Sequence, residues 1–163
     1  MKIIFIRQSV QETRHLRHAF KREDVTAAFL KQLYFSGYAN QFKDRLDLAL
    51  LKEGIMPEKF DIHHIRPLSG GGNNALSNLC LIEQAFHKFI NRHCFDPALR
   101  FVKEGEQVEI EVPNLAPIAF YQDYGAFVKE ILHRPTRNSH YKILPRYYPH
   151  SQQQPLKLLE QVR

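Results

Sequence analysis

Apolar residues in the first half of the chain recur three and four positions apart, the period of helices with one buried face. Ser9 and Glu12 have capping-box spacing, and Leu16 and Phe20 follow on one stripe. Asp24 stands where a second helix would begin, Phe29, Leu30, Leu33 and Tyr34 form its apolar side, and Ser36-Gly37 stops it. A third helix is expected from about Tyr38 to Glu53, with Phe42, Leu46, Ala49 and Leu50 inward, Gly54 just past its end and Pro57 blocking continuation. The period then changes. Phe60 to Leu68 reads as extended, Ser69 to Asn74 as a Gly/Asn-rich loop, and Leu79 to Ile82 as a second short strand. Glu83 to Cys94 reads as a helix ending before Pro97. Further on, Val108, Ile110 and Val112 alternate with polar residues, which predicts a half-exposed strand, and Asp123 to Leu132 predicts a short helix.

The pattern predicts an α+β protein in four segments. These are a helical scaffold over 1–56, a strand–loop–strand–helix unit over 57–96, an elaboration over 97–133 and a tail over 134–163. A chain of 163 residues is one domain's length and can bury a core without disulfides. Its two cysteines, Cys80 and Cys94, sit in no C-x-x-C pair, which excludes a zinc ribbon, and Cys80 is expected to be a buried strand residue. The apolar run in Met1–Ile6 is too short for a signal peptide, and no run approaches a membrane span. The expectation is a cytoplasmic protein, or one delivered from the cytoplasm by a dedicated secretion system, with no membrane partner.

Charge narrows the partner. The net charge of +6 favours a polyanion. The tail adds to this: Arg134, Arg137, Lys142, Arg146, Lys157 and Arg163 face one acid, Glu160, with Tyr141, Tyr147 and Tyr148 interleaved. That mixture suits phosphate contact and base stacking. The tail's four prolines predict an extended, partly mobile arm.

The candidate chemistry lies in the second segment. His63 and His64 are adjacent on an expected strand, so they leave opposite faces and cannot share one metal unless the strand bends. One can ligate while the other does acid–base work. On the following helix His87 and Asn91 lie four apart and share a face. Packed on the hairpin, that face would reach His63. The expected site is a divalent metal held by His63 and His87, with Asn91 as a third ligand and His64 free to act as general base. Asn78 has no useful basicity, but its amide can brace the loop that positions His64. Arg66 and Arg92 are candidates for flanking phosphates. Asp61 fits either a hairpin cap or a support for a metal histidine. The remaining histidines, His15 and His18 among them, are expected on solvated surface.

These residues carry a resemblance. His64, Asn78 and His87, with His63 ahead of the base, Pro67 and the Gly-rich loop, resemble the HNH nucleases of the ββα-metal (His-Me finger) superfamily. The match runs over roughly residues 54 to 93. His63-His64 with a proline three residues on is similar to the nuclease domains of DNase colicins. Where those carry a further helix histidine, this chain has Asn91. The resemblance implies a ββα-metal core and metal-dependent cleavage of phosphodiester bonds in DNA, using one divalent ion: Mg, Mn, Zn or Ni. RNA is the alternative substrate. A non-catalytic nucleic-acid-binding module is the rival of another class, against which the presence of His64 and Asn78 beside both metal positions argues. Toxin or effector, phage and mobile-element settings all fit the motif. A toxin would need an immunity partner, and an acidic one would suit this basic chain.

Overall fold

A computed structural model describes residues 1–134 and the backbone of 142–144. Arg137 and Arg146 of the tail lie outside the described residues, as does the side chain of Lys142. The chain is α+β, with two three-stranded sheets flanked by short helices.

The first strand corrects the expectation of a wholly helical N-terminus. Lys2–Ile6 forms β1, with Ile3 and Phe5 buried, ahead of helices α1 (Val10–Arg22) and α2 (Val25–Phe35). Its antiparallel partner, β4 (Gln107–Glu111), is the expected alternating strand, but it lies a hundred residues downstream and no local pattern reveals the pairing. Ser9 caps α1 as expected: its Oγ accepts from the Glu12 amide at 3.0 Å. Asp24 precedes α2 in a left-handed conformation, and its side chain caps nothing. The expected third helix is split. One 3-10 turn at Tyr38–Phe42 is followed by α3, only Leu48–Lys52, because Asp47 Oδ1 accepts from the Ala49 amide and starts a new helix there.

The hairpin strands are β2 (Phe60–His64) and β3 (Leu79–Glu83), antiparallel with His63 opposite Cys80 and His64 opposite Leu79. The extended run therefore stops at His64, short of Leu68. A two-residue strand, β5 (Ile118–Ala119), lies parallel to β3 on its other side. This leaves β3 central and β2 an edge. The next helix also departs from expectation. α4 (Gln84–Ile90) passes through a π turn at Asn91–Phe95 into α5 (Asp96–Phe101). Pro97 does not end the helix; it sits in the first turn of α5, where its missing N–H breaks no ladder bond. The last described helix is α6 (Gly125–Leu132). The backbone of Lys142–Leu144 forms β6, paired antiparallel with β4.

β3 separates two apolar clusters. Leu79 and Leu81 join α2, α3 and Phe120, while Cys80 and Ile82 join Phe5, Phe86, Ile90 and the β4 residues. Alternation along a strand buried on both faces makes this division. Leu81, Ile82 and Phe86 are fully buried, and each such side chain contributes about 1.5–3 kcal/mol. The hairpin and α4 are thereby held as one rigid support.

Candidate active site

His63 leaves β2 on the α4 side and is 3% exposed. Its ring lies 5.1 Å from that of His87 and stacks on Phe95 at 5.9 Å. His64 leaves the opposite face and packs on Phe20 of α1 at 5.1 Å. Both still line one cavity of about 400 Å³, together with His87 and Asn91. β2 is an edge strand and ends at His64, so a single cavity can wrap its end and reach both faces. A larger cavity, about 720 Å³, is lined by apolar groups such as Phe29, Leu33 and Leu79. It holds no acid–base pair, so size does not locate the chemistry.

Hydrogen bonds fix the rings of His87 and His64. The Asp61 carboxylate sits 2.9 Å from His87 Nδ1. A carboxylate only accepts, so Nδ1 carries the proton and the Nε2 lone pair is left for a ligand. Gln84 Nε2 donates to the other Asp61 oxygen at 3.3 Å. His64 Nε2 lies 3.0 Å from Asn74 Oδ1, and Asn74 Nδ2 donates to the Leu16 carbonyl of α1 at 2.9 Å. The carbonyl dictates which way the amide faces, so His64 Nε2 donates and its Nδ1 is the basic nitrogen. Asn78 closes the loop between the strands. Its Oδ1 accepts from the Arg66 amide, and its Nδ2 donates to the carbonyls of Arg66 and Asn73. Gly72 is packed against the same carbonyl: a Cβ there would fall 1.8 Å from Arg66 O.

Burial sets the protonation. It pushes His63 down to about 3, with His87 and His64 adding to the effect. His64 is also lowered by burial, partly opposed by the Asn74 hydrogen bond. Both imidazoles are therefore neutral near pH 7. That suits one to ligation and the other to accepting a proton.

His63, His87 and Asn91 are the residues that could hold a sparsely ligated metal. Two imidazoles and the Asn91 amide line the same cavity, and His87 is held in the tautomer that ligation needs. Among the described residues no group of three or more His, Cys, Asp or Glu is placed to hold an ion.

Part of the chain is similar to an uncharacterized protein of Escherichia coli (strain K12), YhhZ, with 32% identity over 89 residues. That stretch is 54% of this chain and 22% of the relative, so the chain spans about a fifth of that protein's length. No family model and no solved structure matches. No helix among the described residues is long and apolar enough to cross a membrane.

Two of the cations suggested by the sequence lie outside the histidine cavity. Arg66 lines a separate cavity with Met1 and Lys2, and Arg92 does not line the histidine cavity. Arg134 pairs with Glu130 at 3.2 Å, one helical turn back. Three contributors escaped the sequence reading. Asn74, Arg17 and Lys21 border the candidate histidines or the cavity itself. The signal for the latter two is present in the sequence as cations four residues apart on α1, but nothing local says that α1 lies beside the hairpin. Cys80 and Cys94 are buried, and burial pushes both thiols up to about 12, so they are inert packing residues.

Proposed function

We propose that the chain is a divalent-metal-dependent HNH endonuclease that hydrolyses phosphodiester bonds in DNA. The carrying observation is the convergence of His63, His64, His87 and Asn91 on one cavity, from a strand end and a facing helix. His63 and His87, with Asn91, would hold the ion. When bound, the ion would neutralise phosphate charge and stabilise the departing oxygen. His64 Nδ1 takes a proton from the attacking water, whose oxygen forms the new bond to phosphorus as the bond to the leaving oxygen breaks. Asn74 holds the base in its tautomer and Asn78 fixes the loop behind it. A binding module that merely kept the fold would not require a neutral, oriented imidazole next to the candidate ligands.

The test is cleavage of supercoiled plasmid by purified protein, with chelator and with each of Mg, Mn, Zn and Ni added back. Chelator should abolish cleavage and a divalent ion should restore it. His64→Ala should bind metal normally but cleave roughly 10²- to 10⁴-fold more slowly. Full activity after metal stripping would end this reading. Loss of metal binding in His64→Ala would exchange the roles of the two adjacent histidines.

A further inference from the structure

We infer that α1 presents a phosphate-tracking groove that leads a DNA strand to His64. Arg14, Arg17 and Lys21 would be its contacts, rather than the cations of the hairpin. This rests on the nuclease reading for its substrate and on separate observations for its location. The histidine cavity adjoins a second one, also about 400 Å³, and the two share Arg17, Lys21, Ser69 and Leu99. Arg14 and His18 line the second cavity. At 100° per residue, Arg14, Arg17, His18 and Lys21 all fall within an arc of about 100° on one side of α1. Arg14, Arg17 and Lys21 are exposed, and none of them forms an ion pair among the described residues.

Nearby cations are committed elsewhere. Arg7, at the far side of the second cavity, donates to the carbonyls of Leu99 and Val102 and so serves the end of α5. Among the described residues, Asp96 is the one carboxylate lining either cavity. Three cations without ion pairs on one wall leave the groove strongly positive. Arg17 and His64 line the same cavity, so a phosphate held there lies next to the base. The dimensions also match. Seven residues of helix cover about 10 Å, and phosphates of one duplex strand recur every ~3.4 Å along the axis. The stripe is therefore long enough to reach successive phosphates of one strand.

The test is equilibrium binding of the intact chain to a labelled 20-base-pair duplex of arbitrary sequence, across a salt series and with chelator present to silence cleavage. Arg14→Gln/Arg17→Gln/Lys21→Gln is compared with Lys31→Gln/Lys43→Gln/Lys129→Gln, which removes equal charge from exposed sites outside both cavities. Each phosphate neutralised by a groove cation contributes about 0.9 to the log–log salt slope. The slope of the groove variant should thus be shallower by between two and three, and its binding at least tenfold weaker than the control's at physiological salt. Equal slopes and affinities for the two would overturn the groove. If the triple variant does not fold, Arg17→Gln alone decides, through a slope reduced by about one. Cleavage is scored separately. Groove-dependent binding without cleavage under any metal would sink the nuclease reading and keep the groove, whereas cleavage with groove-independent binding would do the reverse.

Discussion

At the scale of single residues, the decisive feature is how a carbonyl on one helix sets the chemistry of a ring on a strand. The Leu16 carbonyl orients the Asn74 amide, which in turn places the proton on His64 Nε2. Asn74→Ala removes that constraint. The hydrogen bond raises the His64 pKa, so its loss lowers it. The acid limb of the cleavage rate against pH should move to lower pH, while the plateau falls about 10- to 100-fold because the wrong tautomer becomes populated. A lower plateau with an unmoved limb would show that Asn74 supports the loop alone. His63 carries a second prediction. Its folded pKa is about 3, while the unfolded chain titrates near 6.5. Between those values the unfolded state binds the extra proton, so stability of the metal-free protein is lost as pH falls through that window. Unfolding free energies from urea titrations at pH 7 and pH 4.5 should differ by on the order of a few kcal/mol, and His63→Gln should shrink the difference. An identical pH dependence in the variant would assign the effect to other groups. His63 and His64 were legible as a pair because each has its own chemistry. Asn74 was not, because an asparagine in a Gly/Asn-rich loop reads as turn chemistry and only its contact across 58 residues gives it a role.

At the scale of elements, the loop between β2 and β3 is where local sequence and site geometry meet. The Gly72 amide donates to the Pro67 carbonyl at 2.9 Å, and its Cα stands where any Cβ would collide with the Arg66 backbone. Backbone cannot yield as a side-chain tip can. Gly72→Ala should destabilise the protein by at least about 2 kcal/mol and loosen the brace that Asn78 provides, so cleavage at saturation should drop along with the melting temperature. Full stability in this variant would mean that the loop adopts another path. The hairpin and the helix after it were visible in the sequence, since a period of two gave way to a period near four. The π turn at Asn91–Phe95 was not. A helix pattern interrupted by one wide turn keeps its apolar residues inward, and Pro97 looks like a stop signal unless a first turn begins there. The split at Asp47 has the same origin, since capping and helix continuation compete within a few tenths of a kcal/mol and neighbouring packing decides between them.

At the scale of the whole molecule, the two sheets divide the work. The β2–β3–β5 sheet carries the histidines, while the β1–β4–β6 sheet closes the core behind it. Deleting residues 135–163 removes β6 and uncovers the edge of β4. The truncated protein should be less stable by about 1–3 kcal/mol. It should also bind DNA more weakly with a flatter salt slope, since Arg137, Lys142 and Arg146 go too. The cavity residues are all retained, so cleavage by the folded fraction should persist at saturating DNA. A truncation as stable as the intact chain would show that β6 adds nothing to the sheet, and an unchanged slope would exclude the tail from DNA contact.

Local sequence was enough for the α+β class, for the hairpin with its following helix, and for nominating His63, His64, Asn78, His87 and Asn91, because each of these rests on spacing within about thirty residues. Long-range packing settled the rest. It paired β1 with a strand a hundred residues away and swung α1 beside β2 so that Asn74, held by Leu16, and Arg17 flank His64. Those contacts join segments that are apart in the chain. Burial and shape select them after local preferences have been satisfied, so periodicity carries no trace of them.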